Sequence, residues 1–151
     1  MNIAVVLAGG VGKRMGANIP KQFIKVQGKP VIAYTLEVFE KNSDIDAIEV
    51  VCVDDYIQDL WSYAKTYNLS KLKWIVPGGG STQESIRNGV FGLEGICKDD
   101  DIIMLVMSVV PLIDDEIISD SLAVCKKYGN AIAGDESIYN FSKIEEGYYS
   151  N

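Results

Sequence analysis

The sequence predicts an α/β fold in which a mostly parallel sheet carries helices on both faces. Short β-branched runs alternate along the chain with stretches of helical period. With 48% of its 151 residues apolar, the chain can bury one substantial core. No repeat or low-complexity linker divides it, so each strand is expected to reach the next by a helical crossover, as parallel pairing requires.

The elements follow in order. "NIAVVLA" at 2–8 is the first strand, and the glycine-rich stretch after it is a loop. After Pro30, the residues Val31, Ile32, Thr35, Leu36, Val38 and Phe39 stripe one face of a helix. "AIEVVCV" at 47–53 is the second strand, and Ile57, Leu60, Trp61 and Ala64 mark the helix behind it. "LKWIVP" at 72–77 is the third strand, followed by a helix on Ile86, Val90 and Leu93. "DIIMLVM" at 101–107 is the fourth, followed by a helix on Ile117, Ile118, Leu122 and Cys125 that ends near Tyr128-Gly129. "NAIAG" at 130–134 is expected as a fifth strand.

Composition narrows the chemistry. The apolar runs are far shorter than the ~20 residues a bilayer requires, so a soluble cytoplasmic protein is expected. Cys52, Cys97 and Cys125 are odd in number and widely spaced in apolar contexts, which suits reduced, buried thiols. The sequence contains no histidine. Ser-His and Cys-His nucleophiles, imidazole acid-base catalysis and the commonest metal ligand are thereby excluded.

Net charge is −7, but residues 1–36 carry Lys13, Arg14, Lys21, Lys25 and Lys29 and no acid. An acidic chain with one cationic segment argues against nucleic acid and for a small polyanion held at one place. In an open α/β sheet, ligands collect where loops leave the carboxyl ends of strands, here residues 8–22, 54–55, 77–85 and 107–113. Gly9, Gly10 and Gly12 allow the first of these loops to turn tightly and bring N–H groups to phosphate oxygens, with Lys13, Arg14 and Lys21 adding charge. Pro20 fixes the backbone just before Lys21. A P-loop would need glycine at Leu7 and Ser or Thr at Arg14, and a dinucleotide fingerprint would need glycine at Met15. Asp54, Asp55, Asp114 and Asp115 read as helix-capping or first-turn acids.

"LAGGVGKRMGANIPKQF" at 7–23 resembles the signature of the CDP-alcohol cytidylyltransferases, a family that includes the enzymes acting on 2-C-methyl-D-erythritol 4-phosphate and ribitol 5-phosphate. The pattern G-x-G-x-R-M followed by P-K-Q is satisfied in full by residues 10–22. "PGGGSTQESIRNGV" at 77–90 is similar to the family's G-G-x-x-R-x-x-S-[VI]-x-x-G, with Gly78, Gly79, Ser85, Ile86 and Gly89 in place. The resemblance implies a three-layer Rossmann-like nucleotidyltransferase fold, with a nucleotide-binding domain over 1–134 and the start of a C-terminal arm over 135–151. It also implies transfer of CMP from CTP to a polyol or sugar phosphate with release of pyrophosphate, a step that needs no histidine because a phosphate monoester is already ionised at neutral pH. Arg14 and Lys21 would be catalytic, stabilising the pentacoordinate phosphorus. Ala8, Gly9, Gly10 and Gly12 would cradle the triphosphate, while Gly79, Gly80 and Ser85 would read the cytosine. Lys13 stands open between a phosphate contact and a solvated cation. Mg2+ is implied as cofactor, held mainly through the triphosphate, and a homodimer is implied for the full-length protein.

The departures are specific. The family's H-D-[AS]-[AV]-R-P after the fourth strand is Val106-Met107-Ser108-Val109-Val110-Pro111 here, and the arginine of the second motif is Thr82. The family's magnesium-binding aspartate corresponds to Met107, a soft thioether ill suited to a hard cation. Family members continue well beyond the length of this chain, so it is expected to be part of a longer protein. Tyr139, Phe141, Tyr148 and Tyr149 either begin the arm or pack within the domain. Two alternatives stay open beside catalysis of CMP transfer: a nucleotide-binding protein of the same fold that does not catalyse, and a related transferase using another nucleoside triphosphate.

Overall fold

The computed structural model describes residues 1–10, 19–134, 143–145 and 148–150. Its centre is a four-stranded sheet of β1 (Asn2–Ala8), β4 (Ala47–Cys52), β5 (Leu72–Pro77) and β6 (Ile102–Met107). The strand order is β5-β4-β1-β6. Every pairing is parallel, with Ile3 opposite both Ala47 and Ile103. Between β1 and β4 lie a two-residue antiparallel pair, β2 (Lys25–Val26) and β3 (Lys29–Pro30), and helix α1 (Val31–Lys41). Helix α2 (Ile57–Thr66) connects β4 to β5, and α3 (Thr82–Gly92) lies between β5 and β6.

Strand β1 is central and buried from Ile3 to Ala8, because it pairs on both edges and is covered on both faces. Side chains alternate across the sheet. Ile3, Val5 and Leu7 form one cluster with Ala47, Val51 and Leu93, against which Trp74, Val76, Ile86 and Cys97 pack. Helix α3 lies on this face, close enough that a Cβ on Gly89 would meet the side chains of Val5 and Val51 at 2.9 and 2.7 Å. Chain direction and handedness put α1 and α2 on the other face, since β1→β4→β5 moves one way along the sheet and the return to β6 runs the opposite way. There α1 buries Ile32, Ala33, Leu36 and Phe39 completely.

Residues 1–115 form one compact unit and 116–151 a second. Helix α4 (Asp115–Tyr128) begins at the last residue of the first unit and buries Ile118 and Leu122. It ends where expected, on Gly129 with φ +88°, whose N–H donates to the Cys125 carbonyl at 2.8 Å. Strands β7 (Lys143–Glu145) and β8 (Tyr148–Ser150) make an antiparallel pair. Tyr139 and Phe141 lie outside the described residues.

The expected strands at 2–8, 47–53, 72–77 and 101–107 are present within a residue at each end. The expected strand at 130–134 is not: this segment is irregular and Ile132 is 73% exposed. Its one β-branched side chain and terminal glycine supply little strand preference, and a strand persists only where its backbone groups find a partner. The β2–β3 pair has no counterpart among the expected elements. It turns through Gln27 and Gly28, both with positive φ (51° and 81°), the combination a two-residue type I′ hairpin requires.

Candidate functional site

Two glycine loops meet at the carboxyl edge of the sheet. Where β1 ends, Gly9 faces the loop that leaves β5. A Cβ on Gly9 would stand 2.8 Å from Ser85 Oγ and 3.3 Å from the Gly78 Cα, and a Cβ on Gly78 would stand 3.0 Å from the Gly9 Cα. The contact spans the end of β4, across which the Gly78 N–H donates to the Cys52 carbonyl at 2.7 Å. A side chain at Gly9 would press first on Ser85 Oγ and one at Gly78 on the Gly9 backbone, so this close approach favours glycine at both positions.

The second loop is organised from the start of α3. Ser81 caps the helix, its Oγ accepting from the Glu84 N–H at 3.1 Å. One turn on, the buried Ser85 Oγ accepts from the Gly79 N–H at 3.0 Å, and Asn88 Nδ2 donates to the Pro77 carbonyl at 3.1 Å. Gly79 turns so tightly that a Cβ there would overlap Glu84 at 2.2 Å. Gly79, Gly80 and Ser85 are therefore brought together, and Ser85 also touches the first loop through Gly9.

The cationic turn is held from two sides. Lys21–Phe23 forms a single 3₁₀ turn behind Pro20, closed by the Phe23 N–H on the Pro20 carbonyl at 2.9 Å. Gln22 is only 1% exposed, and its Nε2 donates to the carbonyls of Ala8 at 2.6 Å and Gly10 at 2.9 Å. Phe23 stacks on Tyr56, ring centroids 4.3 Å apart, in the 3₁₀ turn Asp54–Tyr56 that follows β4. Lys21 is thus one residue from a side chain bonded directly to the glycine loop. Gly12, Lys13 and Arg14 lie outside the described residues.

At the neighbouring strand end, the Ser108 N–H donates to the Leu7 carbonyl at 3.1 Å, and its own carbonyl accepts from Thr35 Oγ1 at 3.0 Å. Met107 is 47% exposed. Among the described residues no three His, Cys, Asp or Glu side chains gather closely enough to hold a metal ion. Asp54 and Asp55 occupy the first turn of their 3₁₀ helix, and Asp115 opens α4 and accepts from Asn42 Nδ2 at 2.8 Å. Burial pushes the Cys52 thiol up to about 12, with the Asp54 charge adding to the effect, so this sulfur stays protonated. All three cysteines are free, Cys52 buried and the other two half-buried.

Two side chains in and beneath these loops carry no signal in the sequence. Gln22 belongs to the P-K-Q motif, yet nothing local indicates that its amide is buried. Glu49 lies under α3, fully buried, and neither carboxylate oxygen has a hydrogen-bond partner among the described residues. Gly92 and Gly89 make room for it: a Cβ on Gly92 would come 2.8 Å from Oε1, and one on Gly89 3.4 Å from Oε2. Burial raises its pKa to about 7.

A parallel sheet ordered β5-β4-β1-β6, with glycine loops at its carboxyl edge, defines a Rossmann-like α/β domain. The profile of the family IspD, 2-C-methyl-D-erythritol 4-phosphate cytidylyltransferase, matches residues 2–135, and the chain belongs to that family. It is 45% identical over 132 residues to ribitol-5-phosphate cytidylyltransferase of Lacticaseibacillus paracasei, covering 87% of this chain and 56% of the relative. It is 35% identical over 133 residues to 2-C-methyl-D-erythritol 4-phosphate cytidylyltransferase of Clostridium botulinum, covering 88% of this chain and 57% of the relative. The chain therefore spans rather more than half the length of these relatives. A crystal structure of 4-diphosphocytidyl-2C-methyl-D-erythritolsynthase from Anaerococcus prevotii shares the fold, with TM-score 0.71 at 21% identity over 99% of this chain and 61% of that one.

Proposed function

We propose that this chain is the nucleotide-binding part of a cytidylyltransferase that moves CMP from CTP to a polyol or sugar phosphate. The observation that carries the reading is the junction of Gly9-Gly10 with the Lys21–Phe23 turn through Gln22, at the carboxyl end of the central strand. The acceptor's phosphate oxygen attacks the α-phosphorus in line, one P–O bond forms, the bond to the β-phosphate oxygen breaks, and pyrophosphate leaves with its electron pair. An ionised phosphate needs no general base, which suits a chain without histidine. The chain's task is to hold two anions together and offset the charge that grows at phosphorus. Arg14 and Lys21 supply that charge, Ala8, Gly9, Gly10 and Gly12 present backbone to the triphosphate with Lys13 beside them, and Gly79, Gly80 and Ser85 hold the base. Mg2+, when bound, would be held mainly through the triphosphate oxygens, since this cation keeps several waters and needs few protein carboxylates, and it would offset charge on the leaving pyrophosphate.

The higher identity to the ribitol-5-phosphate enzymes favours a pentitol phosphate as acceptor, and with it a role in surface-polymer precursors over isoprenoid synthesis. The reading places the enzyme in the cytoplasm, as a homodimer. Pyrophosphate release from CTP in the presence of ribitol 5-phosphate, 2-C-methyl-D-erythritol 4-phosphate or neither tests it. The first acceptor should give the fastest release.

A second reading rests on Met107, which is exposed where the family places an aspartate, and on Val110 and Thr82 in place of arginines. On it the protein binds CTP without catalysis, and calorimetric binding of CTP with no pyrophosphate release from it in the presence of any acceptor would favour it.

A further inference from the structure

We infer that Gln22 is a positioning residue that aims the backbone of the glycine loop at the triphosphate; this rests on the function proposed above. Along β1, successive carbonyls point to opposite edges of the strand. That of Leu7 points toward β6, where it accepts from Ser108, and that of Ala8 points the other way and accepts from Gln22. A trans peptide holds its C=O and N–H antiparallel. With the Ala8 carbonyl fixed on the β4 side, the Gly9 N–H of the same peptide is directed to the β1/β6 side.

That direction matters because of the strand order. The chain moves from β1 through β4 to β5 and then returns to pair β6 on the opposite edge of β1, so the topological switch lies between β1 and β6. The crevice at such a switch is where ligands of open α/β sheets bind. Gln22 therefore sits behind the loop and turns its first glycine amide toward the crevice. Its second donor draws the Gly10 carbonyl, two residues on, to the same side, so a negative oxygen is withdrawn from the place where phosphate would lie. One amide nitrogen satisfies two carbonyls with its two hydrogens, and the side chain is buried, so no water can substitute for it without opening the loop.

Gln22 also joins the loop to Lys21. The 3₁₀ turn that presents Lys21 is clamped at its next two residues, by the Gln22 amide on the loop and by the Phe23 ring on Tyr56. A change at Gln22 should therefore disturb recognition of the polyphosphate and leave the base loop at Gly79, Gly80 and Ser85 intact.

The test uses the full-length protein that contains this chain, with two variants of equal length to the native side chain. Gln22→Met removes both donors. It should lower the affinity for CTP and for inorganic pyrophosphate together, by about tenfold or more, the scale of a lost hydrogen bond to a charged group, while weak binding of cytidine stays within twofold of wild type. Gln22→Glu sets a carboxylate against two carbonyls at pH 8 and regains one O–H donor when protonated. Its kcat should rise as pH falls toward 6, an inflection absent from the wild type. The inference is overturned if folded Gln22→Met binds CTP and pyrophosphate as the wild type does, if cytidine binding falls in parallel, or if Gln22→Glu follows the wild-type pH profile. Failure of both variants to fold would assign Gln22 to core stability and overturn it as well. A wild type that neither binds CTP nor releases pyrophosphate would instead defeat the proposed function, and the two failures are distinct.

Discussion

Gly9 and Gly78 meet backbone to backbone, and the Ser85 hydroxyl that receives the Gly79 N–H closes the contact from the α3 side. The loop proposed to hold phosphate and the loop proposed to hold the base are therefore one packed unit. Gly9→Ala places a methyl group 2.8 Å from Ser85 Oγ, which must move and release Gly79. The expected cost is about 1–3 kcal/mol of stability, the usual range for overpacking. Affinity for CTP and for cytidine should fall together, in contrast to the changes at Gln22, and calorimetry with both ligands checks this.

Lys21→Ala and Arg14→Ala should each lower kcat by about a hundredfold or more, as loss of a charge aimed at the transition state does. The melting temperature should stay within a degree or two (~0.5 kcal/mol), the usual scale for surface substitutions. Paired kinetics and thermal melts check this. A drop in stability with activity retained would make both cations structural.

Glu49 predicts a pH dependence of stability. Its carboxyl holds a proton to about pH 7 in the folded chain, against 4.5 for the ordinary value. Between those two values the folded state binds more protons than the unfolded state, so stability falls as pH rises through the interval and levels off above it. The full difference is about 3 kcal/mol at 1.36 kcal/mol per unit. Glu49→Gln should remove this loss, so urea melts should show the variant more stable than wild type at pH 8 and close to it near pH 5.

Ser81→Ala removes the hydroxyl that accepts the Glu84 N–H at the start of α3. A lost N-cap costs about 1 kcal/mol. Because the same turn carries Gly79, Gly80 and Ser85, amide exchange at 79–85 should quicken more than exchange in β1, and hydrogen-exchange mass spectrometry resolves the two segments.

The strands at 2–8, 47–53, 72–77 and 101–107 were legible because short, mostly apolar runs recur between helical stretches, buried throughout in β4 and from Ile3 in β1, and partly exposed in the edge strands β5 and β6. "NAIAG" shows the limit of that signal, since apolar residues form a strand only where a neighbour supplies hydrogen bonds. The glycines of both loops were legible for a different reason: Gly9, Gly78 and Gly79 stand where an added Cβ would come 2.8, 3.0 and 2.2 Å from a neighbouring atom, and clustered glycines mark such close approaches. Gln22 and Glu49 were not. A polar residue is buried by what the rest of the chain places over it, here the end of β1 for the first and Gly89 and Gly92 of α3 for the second. The glycines over Glu49 lie far along the chain, while Ala8 and Gly10 share one stretch with Gln22, whose residues do not show that the loop folds back onto the amide.

The most direct measurement is a crystal structure of the protein soaked with CTP. The β- and γ-phosphates should lie against the backbone at Gly9-Gly10, within hydrogen-bond reach of Lys21 Nζ. Electron density for CTP elsewhere, or an empty loop with Lys21 turned away into solvent, would contradict it.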